Sequence, residues 1–172
     1  KIRNGEMGDI PLIRANRLGG VGWMGSQGEK SNNLMDQLSF GRIHLYWIGS
    51  GHMVDYLIHQ IDECCWIKDS WPVSCIGMGG RAPDSTDHGQ NIDVYSMEYT
   101  FADGAKAFCG FRRIDKTERD FATYIHGTKC AAQFSGQTHK ATVHRFKDQR
   151  IDENNIAWTP TADVYRPWQY EW

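Results

Sequence analysis

From Met53 onward the apolar residues step by three and four. Met53, Val54, Leu57, Ile58, Ile61, Cys64 and Cys65 make one stripe, which predicts an amphipathic helix. A Gly49-Ser50-Gly51 turn opens it and Lys68-Asp69-Ser70 ends it. Ahead of it, residues 34–48 carry Leu34, Met35, Leu38, Phe40, Ile43, Leu45, Tyr46 and Trp47 with no clean period, which predicts a short helical turn. From Asn91 the period becomes two: Ile92, Val94, Ser96, Glu98 and Thr100 alternate with Asp93, Tyr95, Met97, Tyr99 and Phe101. Asp103-Gly104 then signals a hairpin, and 105–114 returns as the partner strand. Further strands are predicted at 10–18, 72–81, 120–126, 130–134 and 141–147, the second of them started by the extended Trp71-Pro72 pair. Residues 81–90 read as a polar loop. After Asp148 the chain reads as irregular, ending in the aromatics Trp158, Tyr165, Trp168, Tyr170 and Trp172.

Strand runs joined by hairpins, with one good helix, predict an α+β fold: an open, mainly antiparallel β-sheet with one long helix and short helical turns packed on one face. One helix covers only part of one face of such a sheet. Tyr95, Tyr99, Phe111 and Tyr124 offer aromatic area for the other face, where a second subunit would sit, although each suits the core equally well.

The 172 residues are read as a single domain over 1–172, with 40% hydrophobic and 12% aromatic residues. A net charge of −2 gives no electrostatic reason to expect nucleic acid or an anionic membrane as partner. No run approaches the ~20 apolar residues of a membrane span, and Lys1-Ile2-Arg3-Asn4-Gly5 is no signal peptide but reads as the tail of a charged helix, as in a fragment. Five cysteines, two of them vicinal, form no paired framework. Free, mostly buried thiols are expected, which favours a reducing compartment and a cytoplasmic location. The scattered histidines give no metal site.

Candidate chemistry sits on the helix. Asp55, His59 and Asp62 step by four and three, sharing a face apart from the apolar stripe. A carboxylate one turn from an imidazole can hold its tautomer and raise its pKa, as a general acid/base near neutral pH requires. A solvated helix pair has the same spacing; the glycine turn and the flanking Trp47 and Trp66 favour a site. Gly20, Gly22 and Gly25 spell a formal dinucleotide fingerprint, but loop residues from Ser26 to Asn33 follow where an apolar helix should open. A Trp23-bearing loop beside a substrate site is the better reading, with a plain surface loop close behind it. With Asp62 and with Arg17 on the first strand, Trp23 completes the candidate substrate contacts. Cys109 and Cys130 lie at no strand–helix elbow or helix N-terminus, so a cysteine hydrolase has no local support.

Gly51-x3-Asp55-x3-His59 with Ile61-Asp62 resembles the motif in the second domain of the glucose–fructose oxidoreductase / inositol dehydrogenase (Gfo/Idh/MocA) family. Gly8-Asp9-Ile10, the Tyr99–Gly104 hairpin stretch and Ile125-His126-Gly127-Thr128-Lys129 agree with it in order along nearly the whole chain. The resemblance implies an open sheet whose free face commonly makes an oligomer contact. It implies a sugar or polyol substrate oxidised at a secondary hydroxyl, with His59 as acid/base and Asp55 beside it. NAD or NADP would be bound mainly by an N-terminal Rossmann domain, which also supplies a Lys from a Glu-Lys-Pro motif. No Glu-Lys-Pro occurs here and no dinucleotide unit is evident, so the chain carries half of an active site and is expected to be inactive alone. NAD-dependent glycosidases share the family and are not separated from dehydrogenases by these residues. The alternative reading is a non-catalytic interaction domain that assembles through its sheet.

Overall fold

The computed structural model describes residues 1–19, 33–40, 45–81, 92–114, 116–135 and 143–160. The strands are β1 (Leu12–Gly19), β2 (Ser74–Gly80), β3 (Val94–Thr100), β4 (Lys106–Arg113), β5 (Asp120–His126), β6 (Ala131–Ser135), β7 (Val143–Phe146) and β8 (Ile156–Trp158). They form one eight-stranded sheet in the order β2-β3-β4-β1-β5-β6-β7-β8. Every pairing is antiparallel except β1 with β4. The α+β expectation therefore holds, with the strand met first in the chain taken into the middle of the sheet. Between β1 and β2 lie α1 (Leu34–Phe40), the single turn α2 (Tyr46–Gly49), a π-helical turn at Met53–Leu57 and α3 (Ile58–Lys68).

Alternation decides the two faces. Ile13 and Ala15 of β1, Tyr95 and Tyr99 of β3, and Ala107, Cys109 and Phe111 of β4 are buried with Leu57, Ile61, Cys64 and Cys65 of the helix. Small side chains sit where the helix crosses: Ala15, Ala107 and Cys109 are at most 1% exposed. The Cys64 and Cys109 sulfurs meet there at 4.0 Å. Four of the five cysteines are buried and all five are free, as expected.

The opposite face differs from the sequence expectation. Tyr95, Tyr99 and Phe111 all turn to the helix side, and of the four aromatics only Tyr124 lies on the open face. There the Asp120 carboxylate accepts from Asn16 (2.7 Å) and from the Tyr124 hydroxyl (2.9 Å), and the Arg14 guanidinium stacks over the Tyr124 ring. Lys106 donates to Glu98 and Thr100. Among the described residues, the exposed large apolar side chains of this face are Ile76, Met78 and Phe108. Registers Ile76↔Glu98, Glu98↔Phe108, Arg14↔Phe108 and Arg14↔Tyr124 set Ile76 and Phe108 in one row with these polar groups.

A second departure is β8, in a stretch that reads as irregular. Its three residues follow a 3-10 turn at Glu153–Asn155, where Asp152 accepts from the Asn154 amide. Buried Asn155 then donates to Asp148 and to the Arg150 carbonyl. Polar side chains build this corner, so hydrophobic periodicity gives no sign of it.

The N-terminal segment is keyed into the β5–β6 turn. The Lys129 amide donates to the Met7 carbonyl (3.0 Å), the Thr128 amide to the Asp9 carbonyl (2.8 Å), and the Asp9 amide to the Thr128 hydroxyl (3.1 Å). Gly8 takes φ +72°, and a Cβ on Gly127 would overlap the Met7 carbonyl oxygen. Gly127→Ala should therefore lower unfolding stability by about 1–3 kcal/mol, the usual cost of overpacking. Urea unfolding measures it, and an unchanged midpoint would show that the segment is free to shift away.

Candidate functional site

The site is built at the end of the sheet where parallel β1 and β4 both stop. Two successive left-handed residues, Ser50 (φ 57°) and Gly51 (φ 78°), turn the chain after α2 and start the long helical run. The second of these positions suits glycine because side chains resist that conformation. Gly51 and His52 are buried at this start. The His52 ring packs against Phe111 and Tyr56, with centroids 5.3 and 5.6 Å away.

His52 is fully buried, and its Nε2 lies 2.5 Å from Nη1 of Arg113, the last residue of β4. An arginine offers only donors, so Nη1–H donates and the imidazole accepts. The ring is then the neutral tautomer carrying its proton on Nδ1, which faces the Ile92 carbonyl at 3.4 Å. Arg113 is only 6% exposed, and its Nε and Nη2 have no hydrogen-bond partner among the described residues. One turn along the helix, Asp55 is half-buried and its Oδ2 is likewise buried without a partner.

A second polar cluster lies between the helix and β5. Arg17 of β1 donates from Nη1 to the Tyr56 carbonyl at 3.2 Å, and its guanidinium stacks on the Tyr56 and Phe121 rings at 4.9 and 4.5 Å. Burial pulls this guanidinium below its ordinary range, against the opposing pull of Tyr56 and Glu63. Glu63 turns inward, and its Oε2 accepts from the Thr123 hydroxyl at 2.5 Å. Burial pushes the Glu63 carboxyl up, with the Thr123 hydrogen bond and Arg17 opposing and Asp62 adding to the rise.

Of the residues singled out from sequence, Asp55 and Arg17 lie on the sheet side of the helix. His59 and Asp62 are exposed on its outer side. Trp23 and the glycines at 20, 22 and 25 lie outside the described residues, as does most of the 81–90 loop. The π-helical turn at Met53–Leu57 closes rings of i→i+5 bonds, so the helix phase slips between Asp55 and His59 and a strict four-residue stack no longer describes them. Four groups of the two clusters were missed from sequence: His52 and Arg113 at the strand ends, and Glu63 and Thr123 nearer the helix crossing. His59-x3-Glu63 was readable as a spacing. The His52–Arg113 contact spans 61 residues and leaves no local trace.

An apolar groove of about 820 Å³ lies elsewhere, walled by Ile2, Met7, Trp66, Ile67, Phe134 and Trp158 among others. It shares no residue with either polar cluster. No described helix is long and apolar enough to cross a membrane, and no described residues group as metal ligands.

No protein-family model matches the chain, and no curated protein matches its sequence. Solved structures do match in fold. One is the aldose-aldose oxidoreductase of Caulobacter crescentus, with TM-score 0.66 and 14% identity, covering 93% of this chain and 43% of that one. Another is levoglucosan dehydrogenase, solved with NADH and levoglucosan, with TM-score 0.62 and 17% identity, covering 94% and 42%. A third is the super-repressor mutant of Gal80p from Saccharomyces cerevisiae, with TM-score 0.64 and 18% identity, covering 96% and 42%. At these identities the likeness is one of fold. The fold is that of the Gfo/Idh/MocA-type oxidoreductases, as the resemblance implied, and the match is consistent with their C-terminal domain. The chain spans less than half the length of each of these three structures.

Glu63 supplies a pH test of the inward polar cluster. A carboxyl whose pKa folding raises holds its proton more tightly in the folded chain. Stability is then full at low pH and declines as pH climbs from the ordinary carboxylate range through the raised value. Glu63→Gln keeps an acceptor for Thr123 and removes the titration. The variant should match the parent near pH ~4 and be the more stable of the two near pH ~7, read as urea midpoints. A parent chain that gains on the variant as pH rises contradicts this arrangement.

Proposed function

We propose that this chain is the substrate-binding domain of an NAD(P)-dependent oxidoreductase acting on a secondary hydroxyl of a sugar, polyol or glycoside. The observation that carries the reading is Asp55 Oδ2, a carboxylate oxygen buried at the helix start with no partner among the described residues. Such an oxygen is costly unless a hydroxyl or other donor comes to it. The sugar-directed names among the fold neighbours support a polyol as that donor.

On this reading Asp55 accepts one substrate hydroxyl and fixes the sugar's orientation. His59, exposed on the next turn, takes the proton of the hydroxyl being oxidised. Trp23, Asp62 and Arg17 are its companion substrate contacts, with Arg17 pinned by Tyr56 and Phe121. The described residues do not fit a dinucleotide cradle: β1 and β4 are the one parallel pair, and β4 returns as antiparallel β5 without opening a helix. NAD or NADP, which accepts hydride in such oxidations, would come with a Rossmann domain outside this chain. The test is made in the protein that includes that domain. His59→Asn should lower kcat by about 10²–10⁴ with cofactor affinity little changed. Near-parent turnover makes His59 a structural residue. A parent protein that turns over no sugar or polyol leaves the non-catalytic assembly domain as the reading.

The open sheet face is proposed as a contact between two copies. Ile76 and Met78, 70% and 73% exposed, share with Phe108, 43% exposed and set across Glu98 from Ile76, a face otherwise tied together by an ion pair and hydrogen bonds. A two-fold interface would bury these apolar side chains together with the Lys106–Glu98 pair that lies among them. Sedimentation of the chain at micromolar concentration should give a dimer, and Ile76→Glu with Met78→Glu should give a monomer. A monomeric parent, or a dimer indifferent to both changes, contradicts the assignment.

A further inference from the structure

Arg113 raises an accounting question that the polyol reading does not answer. A guanidinium has five N–H donors, and burying them without acceptors is among the more expensive things a fold can do. Here the side chain is anchored at one end, Nη1 donating to His52 Nε2 at 2.5 Å, while the backbone amide of Arg113 donates to the Asp93 carbonyl at 2.8 Å. The two groups left over, Nε and Nη2, lie on one edge of the guanidinium. Their N–H bonds run parallel and are spaced as the two oxygens of a carboxylate or the oxygen pair of a phosphate. A single carbonyl or hydroxyl would satisfy one of them; an oxyanion satisfies both.

The setting favours an anion as well. Arg113 contacts the second residue of a continuous helical run over 51–68, at the end where the helix dipole is positive. His52 adds no second charge, because the arginine forces it into the neutral tautomer. Phe111 and Tyr56 pack around the imidazole and keep the pair rigid. Asp55 lies three residues from His52, one turn further along the same helical run.

We propose that the Nε–Nη2 edge of Arg113 is an oxyanion subsite, and that the substrate is a polyol bearing an acidic group, either a carboxylate or a phosphate. This rests on the polyol site proposed above and names its substrate class: Asp55 receives a hydroxyl while Arg113 receives the acid. The Arg–His pair binds and orients, and the proton chemistry stays with His59.

Calorimetric titration of the chain with gluconate, sorbitol and inorganic phosphate tests it. Gluconate and sorbitol are both six-carbon polyols, and gluconate carries a carboxylate where sorbitol has a hydroxyl. The parent chain should bind gluconate at least about tenfold more tightly than sorbitol, the size of one charge-assisted hydrogen bond. Arg113→Met should erase that preference, and Arg113→Lys, a point charge without the fork, should restore little of it. Phosphate that displaces gluconate supports an edge open to either acid. Phosphate binding lost in Arg113→Met, without gluconate binding, supports the subsite and assigns it to a phosphorylated ligand. Equal affinity of the parent for gluconate and sorbitol, with no phosphate binding, overturns the proposal and needs no variant to be folded. So does a gluconate preference that survives Arg113→Met. Asp55→Asn separates the two claims. If it weakens sorbitol binding while no acid preference exists, the polyol site stands and the oxyanion subsite fails. If it leaves polyol affinity unchanged while the acid preference holds, the reverse is true.

Discussion

The crossing of the helix over the centre of the sheet is the constraint on which the rest depends. The helix can approach β1 and β4 closely because the residues beneath it are Ala15, Ala107 and Cys109, matched from above by Leu57, Ile61 and Cys64. A larger side chain at any of these points would lift the helix and open the core, and the close-packed interior gives little room to absorb it. Given that crossing, the helix start has to fall where β1 and β4 end. His52 then meets Arg113 of one strand, and Tyr56 meets Arg17 of the other. Packing in the middle of the domain thus decides what chemistry assembles at its end.

The polar groups collected there are of two kinds. Some already have partners within the fold: Arg17 is stacked and bonded through Nη1, Glu63 is held by Thr123, and His52 is locked between Arg113 and the Ile92 carbonyl. Others are buried and left without partners among the described residues, namely Asp55 Oδ2 and the Nε–Nη2 edge of Arg113. Buried polar groups are normally paired, so these atoms are the candidate ligand contacts at the helix start; Gln60 Oε1 and Tyr95 Oη are likewise buried without partners among the described residues. The partnered groups make this arrangement rigid. Their bonds hold the helix start, and so the spacing of the unpaired atoms is determined before anything binds.

Much of the fold was legible in the sequence because it depends on local period. The alternation from Ile92 to Phe101 gave β3, and Asp103-Gly104 gave its hairpin. Leu57, Ile61, Cys64 and Cys65 of the apolar stripe form the buried side of the helix, whereas Val54 and Ile58 of that stripe are 53% and 43% exposed. The glycine turn at 49–51 is where the chain does reverse, through two positive φ angles. Quantities set by long-range packing were not legible. The insertion of β1 between β4 and β5, parallel to one and antiparallel to the other, follows from sheet assembly. The face taken by Tyr95, Tyr99 and Phe111 depended on where the helix landed. A polar corner built around Asn155 carried β8 with no periodic signal. The site was half readable: the Asp55 and His59 spacing stood out, yet the π-helical turn between them resets the phase and brings Glu63 inward while Asp62 stays outside.

The central claim is that ligand binds at the helix start and strand ends, away from the large apolar groove near Trp66 and Trp158. Amide chemical-shift mapping of the chain titrated with myo-inositol addresses this most directly, because it reports position without requiring turnover or a cofactor. The account predicts saturable shifts clustered at residues 51–59, 17–19 and 111–114. Shifts centred on residues 1–7, 66–69 and 143–145, which line the groove, or a spectrum unchanged throughout, would contradict it.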